Sequence, residues 1–92
     1  MTSDLHGLPA GDLIDAGLRD LASGGTSVEA LLVSIGAPRL RALGFEVSRP
    51  IPDAGLRLYE LLSRTDPDSA HGRYNALVRR LVSFERAAGC AS

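Results

Sequence analysis

The chain of 92 residues contains no lysine and a single cysteine, Cys90. One cysteine excludes an intramolecular disulfide bond and a metal site built from several cysteines. Cys90 lies two residues from the C-terminus, so we expect an accessible thiol without a structural role. The two histidines form a zinc site with it only where all three side chains converge, and nothing in the sequence indicates that they do. We therefore predict neither a metal ion nor a cofactor.

Long apolar runs are also missing. No segment approaches the roughly 20 apolar residues of a membrane-spanning helix. Residues 1–4 lack the basic start and the apolar stretch of a signal peptide. We expect a small, soluble, cytoplasmic protein with no membrane partner.

All ten basic side chains are arginines, and they are unevenly distributed. A GC-rich genome explains the missing lysine most simply, whereas selection for the guanidinium group would suit phosphate or carboxylate partners. The net charge of −1 excludes general electrostatic attraction to nucleic acid. Residues 1–36 carry five acidic side chains and one arginine, but residues 37–92 carry nine arginines and six acidic side chains. This asymmetry indicates either a basic binding face or attraction between the two halves within one fold.

Apolar residues at helical spacing predict an all-α fold. With 45% apolar residues, a chain of this length supports one modest core and one domain. We predict a small orthogonal bundle of four main helices plus one short helix, packed on a long C-terminal helix. The predicted domain covers residues 9–89, with a flexible lead-in at residues 1–8 and a C-terminal tail at residues 90–92.

Local signals predict the boundaries of the first three helices. Pro9 suits a first helical position. The second helix is expected to start at Thr26, because Thr26 and Glu29 have the spacing of a capping box in which each side chain satisfies the other's backbone amide. Pro38 opens the short third helix, and Gly44 closes it.

The last two helices have clear start signals as well. Asp53 is expected to cap a helix over about 54–64, whose leucines and tyrosine spread so widely that burial on several sides is expected. The segment Asp66-Pro67-Asp68 combines a cap, a proline and an acid, and predicts the start of the longest helix. That helix is expected to run to about Ala88 and to stop at Gly89.

The last helix carries a second surface beside its apolar stripe. Arg73 and Arg80 are two turns apart on a line of small residues, with Arg79 and Arg86 adjacent. This pattern predicts a docking face for an acidic partner or a nucleic-acid backbone. The alternatives are a solvated face and a second internal packing face.

Two helices meeting at the turn 35–38 favour a second interpretation, a helix-turn-helix domain. Its third helix would enter the DNA major groove, where arginines bind guanine edges or phosphates. The bulky Leu32 and the early stop at Gly44 depart from that pattern. The nucleic-acid-binding residues of this interpretation are Arg39, Arg41 and Arg49.

A third interpretation rests on Arg64 and His71, with six residues between them. This Arg…His spacing is similar to that of small helical ribonucleases of the HEPN superfamily, found in toxin–antitoxin and defence systems. The resemblance implies that the pair cuts RNA, usually across a dimer, with the histidine moving protons and the arginine stabilising the phosphorane. The segment 66–68 lies between them, so we predict that they lie on different helices.

Glu85 departs from the apolar pattern, because it falls inside the buried stripe of the last helix. A buried carboxylate must be paired or protonated. We expect an ion pair with an arginine of another helix, unless the stripe opens to water there. A structural role is favoured over catalysis, because no second acid or nucleophile maps nearby.

No phosphate-binding glycine loop, metal-ligand cluster or catalytic triad is present in the sequence. We therefore predict that the protein is not an enzyme and has no small-molecule substrate. The leading hypothesis is a non-enzymatic interaction or regulatory module that binds another protein or a second copy of itself. The first alternative is a nucleic-acid-binding domain of the helix-turn-helix kind, with an antitoxin-type role as one option. The second alternative is the HEPN-like ribonuclease.

Overall fold

The computed structural model describes residues 7–91 and consists of helices and connecting turns, with no strand among these residues. The five helices, numbered in chain order, are α1 (Gly11–Ala22), α2 (Val28–Ile35), α3 (Ala37–Ala42), α4 (Ala54–Thr65) and α5 (Ala70–Ala91). The prediction of an all-α bundle with a long C-terminal helix packed against the others is confirmed.

Helix α2 is the most buried element. Five consecutive residues, 30–34, are buried in it, and it packs against each of the other four helices. Because apolar residues spread around most of the circumference of α2, several helices are needed to cover it. Helix α5 packs against α1, α2 and α4. The largest fully buried side chains come from all five helices. They are Ile14, Leu32, Val33, Leu40, Leu58, Leu62 and Phe84.

Helices α1 and α2 approach each other closely at Gly17. A Cβ atom on Gly17 would clash with the carbonyl oxygen of Glu29 and lie 2.7 Å from Cγ1 of Val33. The missing side chain therefore sets the distance between the two helices.

Several helix boundaries differ from the predicted ones. The capping box at Thr26 is wrong by one residue, because Ser27 is the N-cap and its Oγ accepts a hydrogen bond of 3.1 Å from the amide of Ala30. Asp53 does precede α4, but its backbone is left-handed with φ 55° and its side chain makes no capping hydrogen bond. Helix α1 likewise begins after a left-handed residue, Ala10, two residues later than Pro9 predicts.

Both ends of α5 also lie further along the chain than predicted. The amide of Ser69 bonds to the carbonyl of Asp66 in a separate turn, and the helix begins only at Ala70. At the other end, α5 continues through Gly89 to Ala91. Gly89 has no positive φ, unlike Gly24 and Gly44 at the ends of α1 and α3, so it does not terminate the helix. Cys90 of the predicted tail is therefore helical, and Ser92 lies outside the described residues.

The predicted lead-in also falls mostly outside the described residues, because these begin at Gly7. Leu8 packs half-buried against the core, and its carbonyl accepts a hydrogen bond from the amide of Gly11.

Helix α4 differs from expectation too: Leu58 and Leu62 are buried, but Leu56 is 63% exposed, so α4 has one open side.

Candidate interaction surface of the C-terminal helix

Helix α5 buries one stripe and exposes the opposite face. Ala70, Leu81 and Phe84 are buried, and the ring of Phe84 packs against Phe45, with 5.4 Å between ring centroids. On the outer face, the four arginines of the predicted docking surface are all exposed. They are Arg73, Arg79, Arg80 and Arg86. The burial pattern thus separates a packed side from a broad polar side.

The exposed arginines form two lines with small residues between them. At 3.6 residues per turn, Arg73 and Arg80 share one line, and Arg79 and Arg86 share another. Members of each line are about 10 Å apart along the helix axis. The residues between the lines are exposed and small, and they are Gly72, Ala76 and Ser83. We call this set of seven residues the arginine face.

The charges of the arginine face are not neutralised by contacts within the described part of the chain. The ion pair found there is local to α1, where Nε of Arg19 lies 3.1 Å from Oδ2 of Asp15. No ion pair between described residues joins the acidic first half to the basic second half. Within the described range, attraction between the halves therefore does not occupy the arginines of α5 through ion pairs.

A small cavity opens beside the arginine face. It has a volume of about 190 Å³ and lies between the turn before α1 and the middle of α5. Its lining residues are Pro9, Ala10, Arg79, Arg80 and Ser83. No local sequence pattern indicates this cavity, because its two walls are about seventy positions apart in the chain.

The three arginines of the helix-turn-helix interpretation lie in and after α3. All three are exposed, but Nη2 of Arg41 donates a hydrogen bond of 2.7 Å to the carbonyl of Val47. Arg49 has a left-handed backbone with φ 46° in the loop before α4. Helix α3 has six residues, and only Gly36 separates it from α2. A recognition helix normally follows a turn of three or four residues.

Glu85 lies where the apolar pattern places it, and it is buried with 8% exposure. Burial raises the pKa of its carboxyl above the ordinary value of 4.5, and the positive charge of Arg39 partly opposes this shift. Arg39 belongs to another helix, α3, but no ion-pair contact joins it to Glu85 among the described residues. The expected direct ion pair is thus replaced by attraction over a longer distance.

Arg64 and His71 lie on different helices, α4 and α5, and line different surfaces. Arg64 lines a cleft beside α2 together with Thr26 and Glu60. The ring of His71 instead contacts Tyr59 edge-on, with 6.4 Å between centroids, and its Nε2 is 3.2 Å from Nδ2 of Asn75. His71 is not among the residues that line the cleft at Arg64, so the two described side chains have different surroundings.

An aromatic cluster at the α4–α5 contact was not foreseen from the sequence. Tyr59, 37% exposed, packs edge-on against Tyr74 with 5.7 Å between ring centroids. Leu56 is exposed on the same helix. No occupant for this surface is indicated by charge or by a cavity.

An open groove of about 840 Å³ lies along α1 and the start of α2. Its acidic lining residues are Asp12, Asp15, Asp20 and Glu29. Asp20 is engaged in the local structure, because its Oδ2 accepts a hydrogen bond of 3.3 Å from the amide of Ser27. Within residues 7–91, no group of three or more acidic, histidine or cysteine side chains is arranged to hold a metal ion.

None of the helices in the described range is long and apolar enough to cross a membrane. Comparisons with protein-family models, with curated proteins and with solved structures give no match.

Proposed function

We propose that this protein is a non-enzymatic interaction module that binds an acidic protein through the arginine face of α5. One observation carries the proposal: four exposed arginines stand without carboxylate partners among the described residues and flank a line of small side chains. Arginines in such positions are available to a partner, because no ion pair with another residue of the described range has to be broken first.

The geometry of the face suits a partner helix or extended segment. Small residues at Gly72, Ala76 and Ser83 allow another backbone to approach α5 closely. The guanidinium groups on both sides can then bind carboxylates with two parallel hydrogen bonds each. Charges at the rim of an interface mainly accelerate association and set the orientation of the partner.

Nucleic-acid binding through Arg39, Arg41 and Arg49 has less support. Arg41 already holds the carbonyl of Val47, and α3 is only six residues long. The net charge of −1 also opposes the accumulation of a polyanion around the whole molecule.

Capture experiments with matched charge reversals test the proposal. The tagged protein is used to capture partners from the native cell, with and without nuclease, beside the double variant Arg73→Glu/Arg80→Glu. The control is Arg57→Glu/Arg64→Glu, which makes the same charge change at exposed positions of α4. We expect a stoichiometric protein that survives nuclease, is lost from the α5 variant and is retained by the α4 variant.

Other outcomes contradict the proposal. Equal retention by both double variants excludes the arginine face as the binding site. Material that disappears with nuclease, or that is released as salt increases and depends on Arg39 and Arg41, supports nucleic-acid binding instead. Circular dichroism of both variants shows whether they remain folded, so that loss of the partner is attributed to charge. Size-exclusion chromatography with light scattering identifies a second copy of the chain as the partner.

A further inference from the structure

The cavity between α1 and α5 has a mixed chemistry. Pro9 and Ala10 contribute side chains made only of carbon, and Ser83 contributes a hydroxyl group. Arg79 and Arg80 line it as well. Arginine commonly packs its aliphatic stem along apolar surface while its charged end stays in water. The cavity is therefore lined by residues that offer carbon walls and a hydroxyl group, and two of them carry positive charges that can reach its mouth.

We propose that this cavity binds the side-chain carboxylate of a glutamate or aspartate of the protein partner. The inference rests on the proposed function and names the group through which the partner is anchored. The volume of about 190 Å³ is ample for the short side chain of a glutamate.

Carbon walls distinguish a side-chain carboxylate from a free phosphate ion. The methylene groups of a glutamate can be buried against Pro9 and Ala10, and that apolar contact stabilises binding. Phosphate has no apolar atoms to bury there. The two guanidinium groups and the hydroxyl of Ser83 then donate hydrogen bonds to the carboxylate oxygens.

Nuclear magnetic resonance titrations test the cavity without the partner. The probe is N-acetylglutamate methylamide, which presents one carboxylate on two methylene groups. The matched probes are its glutamine analogue, which lacks the charge, and inorganic phosphate, which lacks the carbon atoms. Titrations are performed at constant ionic strength, and the signals of Ser83 and of the side-chain Nε–H groups of Arg79 and Arg80 are followed.

We expect saturable shifts of these signals with the glutamate probe and none with the glutamine analogue. Ser83→Leu fills the cavity and should abolish the shifts, whereas Ala76→Leu, on the same helix outside the cavity, should preserve them. The proposal is overturned by equal shifts in Ser83→Leu, by equal or stronger binding of phosphate, or by the absence of any saturable shift.

The captured partner separates this inference from the proposed function. Loss of the partner from Arg73→Glu/Arg80→Glu supports the proposed function, and loss from Ser83→Leu supports the cavity only where the same variant also loses the shifts with the glutamate probe. If Ser83→Leu binds the partner with unchanged affinity while the charge reversal abolishes binding, the cavity proposal fails and the arginine face stands. Retention of the partner by the charge reversal contradicts the proposed function itself.

Discussion

The carboxylate of Glu85 lies directly against the backbone of Gly36. A Cβ atom on Gly36 would be only 2.7 Å from Oε2 of Glu85 and 3.0 Å from Cδ1 of Leu81. Gly36 is the single residue that joins α2 to α3, so the absence of its side chain lets α5 pack against this corner. One glycine thus accommodates both the chain reversal and the buried acid.

Gly36→Ala is expected to destabilise the fold by about 1–3 kcal/mol, a typical cost of inserting a methyl group into a packed site. Its backbone, with φ −90° and ψ 8°, is accessible to alanine, so the cost arises from the contacts with Glu85 and Leu81. Urea denaturation measures the free energy of unfolding. Gly72→Ala is the matched control, because nothing lies within 4 Å of its Cβ position in α5. The control should gain about 0.5–1 kcal/mol from helix propensity, and an equal gain at Gly36 would contradict the close packing.

Glu85→Gln is expected to stabilise the protein increasingly as the pH rises. Burial raises the pKa of Glu85 in the folded state above its ordinary value of 4.5, so the folded state holds this proton more tightly than the unfolded state. The stability that the protonated carboxyl contributes is fully present below pH 4.5 and is lost as the pH rises through the folded pKa. The glutamine variant has no such loss.

Urea denaturation at pH values from 4 to 7 measures the difference in unfolding free energy between Glu85→Gln and the native protein. This range extends from about 0.5 below to about 2.5 above the ordinary pKa of the carboxyl. Glu46→Gln removes a carboxylate from an exposed loop position and serves as the control. A gap between Glu85→Gln and the native protein that is constant with pH would contradict the raised pKa.

The extent of sequence-based prediction differs between the helices and their ends. Periodicity placed the helices because a buried stripe requires apolar residues on one face, whatever the partner helix is. The ends depend on single backbone conformations, and these were less predictable. Gly24 and Gly44 adopt positive φ values and end their helices, whereas Gly89 remains helical. Sequence does not distinguish these two uses of glycine.

The candidate site also has features that the sequence predicts and features that it does not. The two lines of arginines on α5 follow from the helical repeat alone, so the spacing of the arginines within residues 73–86 predicts them. The cavity requires the left-handed turn at Ala10 and Ser83 to lie on opposite sides of one opening, a long-range arrangement that no local pattern indicates. Burial of Glu85 followed from the repeat, but its position against Gly36 did not.

Ser34→Ala is expected to destabilise the protein by about 1–2 kcal/mol, because it leaves a buried polar group without its partner. The buried hydroxyl of Ser34 donates a hydrogen bond of 2.9 Å to the carbonyl of Ala30. Its Oγ also accepts a hydrogen bond of 3.0 Å from the amide of Ile51. This hydroxyl ties the connector before α4 to the central helix. Ser63→Ala is the control in α4, and its unfolding free energy should change by less than about 0.5 kcal/mol. Equal effects of the two substitutions would exclude a special role for Ser34.

Arg41→Ala is expected to lower the free energy of unfolding by about 1–2 kcal/mol, since a charge-assisted hydrogen bond is lost. Nη2 of Arg41 holds the carbonyl of Val47 at 2.7 Å and so closes the loop that presents Phe45 to Phe84. Arg57→Ala, at an exposed position of α4, is the control. Its free energy of unfolding in urea should change by less than about 0.5 kcal/mol. The nucleic-acid interpretation makes the opposite prediction, in which Arg41→Ala weakens DNA binding and leaves stability unchanged. The pair of measurements therefore decides whether Arg41 serves the fold or a ligand.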